Sequence, residues 1–521
     1  MTYAVESNLH VSDSEQRPAG DAGRRTVDYI VVQAGGKGTR LEHLTTNKPK
    51  ALVPVENLPM ILHLFRKFPD KQFIVIADYH REVLREYLAA FADVRFQVVD
   101  AEGEGTCGGV AKAVALLPDG EPFMLVWSDL ILPEAFELPE ADRDWVGLSQ
   151  TFDCRWSYVD GRFGEERSRE HGVAGLFVFR DKAAVSDIPA HGELVRWLQQ
   201  TEHAFDGLGL AGTREFGLLP EYELLATEKT RPFNRVTVVG ETFIKEPVDE
   251  QGALLARRES EWYRHALKLG LDSIPQLYGF EPLTMEKIAG KSIYEYADLS
   301  LDRKRVILAD LTAALRKLHS LESAPADSFS TREAYYGKTV ERLKAVRDLI
   351  PFTDRKTITV NGRQCRNVYF YKRDLERALD TLTVERFAFI HGDPTFSNLM
   401  LRGGTEPVLI DPRGYFGHTE LHGDPNYDWA KLYYSVVGNY DQFNLKNFRL
   451  AVNPETVDLT VESNGWESLE ADLFALSGAD PRTIKLLHAV IWLSLTTYAW
   501  QDYDSICGAF YNGIYYLEEA L

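Results

Sequence analysis

FAFIHGDPTFSNLM, residues 387–400, leaves a short apolar run and enters a polar loop. Phe387–Ile390 carry no charge and read as a buried strand. The chain then turns through His391-Gly392-Asp393, and Asn398 follows Asp393 by five positions. Downstream, VLIDP (408–412) ends a second apolar run on Asp411. Upstream, RVTVV (235–239) and ETFIKE (241–246) flank a tight Gly-containing turn and read as an antiparallel pair, with Lys245 at the end of TFIK. A helix around ARRESEWYRHALKLG (256–270) carries Glu259 and Glu261. The runs PQLYGF and LTMEKI follow, and long helical periods dominate after about residue 300.

An Asp, four residues, an Asn and a later strand-end Asp resemble the kinase arrangement, and the His-Gly-Asp form with Ile-Asp-Pro downstream is similar to the aminoglycoside phosphotransferase/choline kinase family. The resemblance implies a C-terminal two-lobed, protein-kinase-like α+β domain that uses ATP. It implies that Asp393 takes or orients the acceptor hydroxyl proton and that Asn398 and Asp411 hold Mg2+. It makes Lys245 the phosphate-pairing lysine and Glu259 its ion-pair partner, with Glu261 as competitor. TMEKIAG (284–290) resembles the connection between kinase lobes, so Glu286 and Ile288 are expected beside adenine. RPFNRVTVVG (231–240) lacks a Gly-rich repeat, leaving Phe233 and Asn234 as candidates for the loop over the phosphates. HGDPNYDW (422–429) repeats His-Gly-Asp, but the fifth residue after Asp424 is Trp429. It reads as a loop entering a helix, with Asp428 ordering the catalytic loop and Tyr427 and Trp429 in the core.

A second set of phosphate-type residues lies near the other end. VVQAGGKGTRLEHLTTNKPKALVPV (31–55) starts as a strand and breaks into Gly35, Gly36 and Gly38. Glycines let the backbone approach phosphates and aim N–H groups at them. Lys37, Arg40 and Lys50 can neutralise a triphosphate. The spacing is neither the dinucleotide nor the Walker pattern. YIVVQ, FIVIA, RFQVV and FMLVW read as strands, and MILHLFRKF, REVLREYLAAF and GGVAKAVALL as intervening helices, giving α/β with a largely parallel sheet. VAGLFVF and EYELLA complete the unit near residue 228.

Gly35-Gly36-Lys37-Gly38-Thr39-Arg40-Leu41 followed by Pro49-Lys50 resembles the signature of the sugar-nucleotidyltransferase family over about residues 28–228. That resemblance implies a doubly wound, Rossmann-like domain that joins a nucleoside triphosphate to a phosphorylated compound and releases pyrophosphate. Gln33 stands where an apolar residue is usual. GEGTCGGV (103–110) is similar to the family's base-contacting loop and nominates Gly105 and Thr106, with Cys107 as a packing residue. Asp129, in VWSDLIL, corresponds to a metal-binding Asp. Arg40, Lys50 and an Asp129-held Mg2+ would supply in-line positioning and charge neutralisation.

The 521 residues suggest a tail over 1–26, a nucleotidyltransferase domain over 27–229 and a kinase-like domain over 230–521. The tail is polar, lacks the apolar core of a signal peptide, and is expected to be loose. The net charge of -20 argues against general nucleic-acid or anionic-membrane binding. Four widely spaced cysteines read as free thiols of a cytoplasmic protein, and no apolar run is long enough for a membrane span. The many aromatics of the last third are expected to pack helices rather than form a cation cage. Arg413 is a basic neighbour of Asp411 that could face a phosphate or a polar acceptor.

A kinase makes a phosphate ester, and a nucleotidyltransferase consumes one. The two resemblances together imply a bifunctional enzyme: ATP phosphorylates a small molecule, then CTP, UTP or GTP converts it to a nucleotide conjugate. A sugar phosphorylated at its anomeric hydroxyl is the leading substrate, giving a nucleotide sugar for surface glycans such as capsular polysaccharide. Choline or another amino alcohol is the alternative. An antibiotic-modifying phosphotransferase with a regulatory N-terminal half, or a kinase-like scaffold, are competing readings that intact Arg40, Lys50, Asp129, Lys245, Asp393, Asn398 and Asp411 oppose. The sequence is compatible with an oligomer.

Overall fold

A computed structural model describes residues 26–56, 58–101, 105–201, 203–217, 222, 234–248, 250–499 and 501–521. The tail up to residue 25, Phe233, most of EYELLA and the division at 229/230 lie outside these residues. The chain forms two compact units. Of the described residues, one unit contains 26–33, 67–76 and 94–215, and the other those within 34–66, 77–93 and 216–521.

Along the first part of the chain strands and helices alternate: β1 (Tyr29–Gln33), α1 (Met60–Lys67), β2 (Gln72–Ala77), α2 (Arg81–Phe91), β3 (Arg95–Asp100), α3 (Cys107–Ala115) and β4 (Phe123–Trp127). β5 (Trp145–Ser149), β6 (Ser157–Val159), β7 (Arg162–Gly164), β8 (Gly172–Phe179), α4 (Leu194–Gln200) and β9 (Asp206–Leu210) follow. The sheet has nine strands, ordered β7-β6-β8-β4-β1-β2-β3, with β5 pairing β8 and β9. β1 lies parallel between β2 and β4, with Val31 opposite Ile74 and Leu125. β8 runs antiparallel to β4. Ile30, Val31 and Val32 are fully buried, as expected of a central strand covered on both faces. Val110, Ala113 and Val114 of α3 pack with Val31, Ile74, Leu125 and Phe177 in one core.

In the second unit, β10 (Asn234–Val239), β11 (Thr242–Pro247), β12 (Leu277–Phe280) and β13 (Leu283–Glu286) form an antiparallel sheet ordered β10-β11-β13-β12. Gly240 and Glu241 make the tight turn between β10 and β11, as the sequence suggested. α5 (Glu250–Lys268) connects β11 to β12. After β14 (Gly290–Ser292) comes a mainly helical lobe: α6 (Leu301–Leu321), β15 (Arg386–Phe389), β16 (Leu399–Arg402), β17 (Glu406–Leu409), α7 (Pro425–Val436), α8 (Pro481–Leu495) and α9 (Tyr503–Ala520). This is the small-sheet-plus-helical-lobe layout of a kinase-like α+β fold.

The late aromatics pack helices together. Tyr434 stacks on Tyr440 and meets Trp492 edge-on, and Tyr434, Trp492, Tyr503, Phe510 and Tyr511 are all buried. The four cysteines are unpaired and buried. Among the described residues no helix is long and apolar enough to cross a membrane.

Candidate active sites

The second unit assembles its candidate residues around two strand ends. Lys245 on β11 is buried, and its Nζ lies 2.6 Å from Glu259 Oε2 on α5 and 2.6 Å from Asp411 Oδ1 beyond β17. The competitor Glu261 instead pairs with Arg264 on the same helix face, in the open. Burial pushes the Glu259 carboxyl up to about 7, although the Lys245 ammonium opposes the shift. Asp411 has φ of 55°, an unusual conformation for a residue with a side chain. Such outliers persist where surrounding contacts fix them, and here Lys245 holds the carboxylate.

The catalytic-type loop follows β15. Asn398 is buried and its Nδ2 donates to the Asp393 carbonyl at 2.9 Å. The Ile410 N–H donates to the Asn398 carbonyl at 3.0 Å, which ties Asn398 to the segment bearing Asp411. The Asp393 carboxylate meets Lys431 Nζ at 3.0 Å and the Arg413 guanidinium at 3.4 Å. Burial pushes the Asp393 carboxyl up, but Lys431 and Arg413 outweigh it and hold the group well below the usual carboxylate range.

The loop's backbone is held by α7. Asp428 accepts from the His391 N–H at 2.8 Å and the Gly392 N–H at 2.7 Å, and His319 Nε2 lies 2.9 Å from it. Ser435 Oγ accepts from the Phe396 N–H. His391 Nδ1 accepts from the Asp393 N–H, so its Nε2 is the protonated nitrogen and donates to the Ile410 carbonyl at 2.9 Å. Asp424, in the second His-Gly-Asp, caps α7 through the Asn426 N–H and accepts from the Tyr335 hydroxyl. Tyr427 and Trp429 are buried.

The Glu286 side chain is ion-paired to Arg402, and its N–H donates to the Gln276 carbonyl at 2.8 Å. The Ile288 carbonyl accepts from the Gly290 N–H, where the chain enters β14. Asn234 opens β10 opposite Pro247.

The candidate nucleotidyltransferase residues fall in both units. In the second, Gly38 has φ of 61°, and its carbonyl accepts from the Leu41 N–H and the Thr45 hydroxyl. Gly36, Lys37, Thr39 and Arg40 are exposed, whereas Gly35 and Lys50 are buried. Lys37 Nζ lies 5.6 Å from the centre of the Tyr79 ring. In the first unit, Gly105 has φ of 91°, and a Cβ there would stand 2.3 Å from the Gly192 carbonyl oxygen. Only glycine fits. Thr106 Oγ1 accepts from the Leu194 N–H at 2.7 Å. Cys107 is fully buried at the start of α3, and burial pushes its thiol up to about 11. Asp129 is buried two residues beyond β4, at the carboxyl edge where parallel sheets take ligands.

Residues 233–449 match the phosphotransferase enzyme family, and residues 29–141 match the nucleotidyl transferase family. The chain thus contains one segment similar to each of these two families. Its nucleotidyltransferase part is 34% identical over 108 residues to the mannose-1-phosphate guanylyltransferase catalytic subunit beta of Dictyostelium discoideum, covering 19% of this chain and 30% of that protein. It is 28% identical over 177 residues to glucose-1-phosphate cytidylyltransferase of Salmonella typhimurium, covering 28% of this chain and 69% of that protein. The chain thus spans about a third of the length of the first of these relatives. HddC from Yersinia pseudotuberculosis aligns with a TM-score of 0.33 and 17% identity over 38% of this chain and 98% of that one.

In the segment that matches the phosphotransferase family, sequence reasoning missed Lys431, which shares Asp393 with Arg413. A signal existed. Asp428, Lys431 and Ser435 stand at i, i+3 and i+7 on α7, a polar row on a helix otherwise buried and largely apolar. All three reach the loop that carries Asp393.

Proposed function

We propose that this nucleotidyltransferase–phosphotransferase fusion makes a nucleotide sugar in two steps. In the first, an acceptor hydroxyl oxygen bonds to the γ-phosphorus of ATP. The bond from that phosphorus to the bridging oxygen breaks, and ADP leaves. Asp393 orients the hydroxyl and receives its proton as the new bond forms, while Lys245, held by Glu259, pairs with the donor phosphates. Asn398 and Asp411 present the oxygen donors that Mg2+ prefers and would hold it; with Nδ2 of Asn398 donating to the Asp393 carbonyl, its Oδ1 would be the atom available to the ion. Bound there, Mg2+ would neutralise phosphate charge.

In the second step, a phosphate oxygen of the product attacks the α-phosphorus of an NTP, and pyrophosphate leaves. The attacking oxygen is already anionic, so no base is needed. Gly35–Thr39 and Gly105–Thr106 would bind the nucleotide, Arg40 and Lys50 would neutralise the triphosphate, and Asp129 would hold Mg2+. The relatives named for guanylyl and cytidylyl transfer to mannose 1-phosphate and glucose 1-phosphate favour a sugar 1-phosphate with GTP or CTP. The product would serve surface glycan synthesis from the cytoplasm, where NTPs are available.

The observation that carries this reading is the convergence of Lys245, Glu259 and Asp411 beside a loop bearing Asp393 and Asn398. The test is to incubate the protein with Mg2+, ATP, CTP, GTP, UTP and a pool of sugars, and to look for new nucleotide-conjugate masses. Asp393→Ala is expected to abolish conversion of the free substrate and to spare conversion of its phosphate ester. Lys50→Ala is expected to keep ADP release and to lower pyrophosphate release. Loss of both activities in a folded Asp393→Ala protein overturns the division of labour.

A further inference from the structure

Beside Asp393 the second unit gathers more positive charge than its own acids use. Arg413 and Lys431 share the Asp393 carboxylate. Lys338 and Arg342 lie on the helix Lys338–Val346, within electrostatic reach of Arg413. Among the described residues, neither Lys338 nor Arg342 is ion-paired to a carboxylate; Arg342 Nη1 donates to the Ser494 carbonyl at 2.7 Å. Burial, then Arg342, Arg413 and Lys431, push the Lys338 ammonium down to about 7, and Glu333 opposes them least. A bound anion would relieve this crowding.

Among the described residues, the nearby aromatic rings do not form a vacant cation cage. Lys338 and Lys431 lie 5.8 and 5.9 Å from the centre of the Tyr427 ring. Arg342 and Arg413 lie 4.3 and 5.5 Å from that of Tyr498, and Arg258 lies 4.5 Å from that of Tyr415. The ring faces already carry the protein's own cations, so a choline-like or aminoglycoside-like cation would meet like charge. A small pocket opens here, lined by Lys338, Arg413, Tyr415, Phe416, Gly417 and Tyr427. The helix bearing Lys338 is preceded by a π-helical turn, Glu333–Gly337, a distortion that recurs at functional sites.

We propose that the acceptor phosphorylated at Asp393 is itself an anion, a sugar or related polyol whose carboxylate or phosphate group docks against Lys338, Arg342 and Arg413. The proposal rests on the phosphotransferase reading above and names its substrate class.

The test measures ADP release with four acceptor sets: uronic and aldonic acids, sugar 6-phosphates, the matching neutral sugars, and choline with kanamycin. Turnover confined to the first or second set supports the proposal and separates carboxylate from phosphate. Lys338→Met and Arg342→Met are expected to raise the KM for that acceptor by about ten-fold or more and to leave the KM for ATP unchanged, with Lys338→Arg restoring much of the loss. A neutral or cationic acceptor used with kcat/KM at or above the best anionic one overturns the proposal and leaves the phosphotransferase reading standing. So does an unchanged acceptor KM in both Met variants. Titration with a non-hydrolysable ATP analogue and Mg2+ judges the underlying reading, and absence of binding overturns both.

Discussion

In the proposed phosphoryl transfer, Asp428 would act through the backbone of the loop that carries Asp393. Its two oxygens fix the His391 and Gly392 N–H groups, and through them the direction in which Asp393 points. Asp428→Asn keeps the volume and loses one acceptor, so the loop shifts by a fraction of an ångström. Initial ADP-release rates are expected to fall about 100-fold while ATP affinity stays unchanged. Glu259 gives a second prediction at this scale. Burial raises its carboxyl to about 7, so acidification protonates it and removes one of the two carboxylates that hold Lys245. The sign is therefore a fall in kcat/KM for ATP as pH drops through about 7. Glu259→Gln is expected to lower the plateau and remove that limb of the pH–rate profile. An unaltered limb assigns it to another group.

At the level of elements, α7 explains why a second His-Gly-Asp stands so close to the first. Its Asp424 starts the helix, and the row Asp428, Lys431 and Ser435 then holds the catalytic-type loop. α8 packs nearby, with His488 fully buried and its Nε2 accepting from Trp492 Nε1 at 2.9 Å. Burial, with a smaller contribution from Lys485, pushes the imidazole down to about 3. Between that value and 6.5 the unfolded chain binds the proton and the folded one does not, so stability falls as pH is lowered through this window. Urea melts of the full chain are expected to lose about 2 kcal/mol between neutral pH and about pH 5 from this group. His488→Gln keeps an acceptor for Trp492 and is expected to flatten that part of the dependence.

On the scale of the molecule, the compact units interleave along the chain. The segment 34–66, which carries the glycine loop and Pro49-Lys50, belongs to the same unit as residues 216–521. Lys48 shows the physical cause. It is 1% exposed, with Nζ 2.6 Å from Asp504 and 3.9 Å from Asp502 at the start of α9. Burial alone would push its ammonium down, but Asp504 and Asp502 outweigh that and hold it up. Lys48→Met would take the close cation from half-buried Asp504, while Asp502 keeps Lys446 at 3.3 Å, at a cost of about 3 kcal/mol in denaturant melts. Lys48→Arg is expected to recover part of it.

The sequence by itself determined the classes of the two folds and the elements that build them. A run such as YIVVQ, apolar on both faces, has few options other than a central parallel strand. The Asp393, Asn398, Asp411 order was legible through its resemblance to the kinase pattern, which lies within one loop and strand pair. The tertiary structure chose Glu259 over Glu261, because only one face of α5 looks toward β11. It alone brought Lys431, Lys338 and Arg342 toward Asp393, and Lys48 to α9. Those contacts join residues far apart in the chain, and a lone Lys or Arg looks the same in sequence whether it is solvated or buried. What decides between the two is which carboxylates and rings the packed chain sets against it.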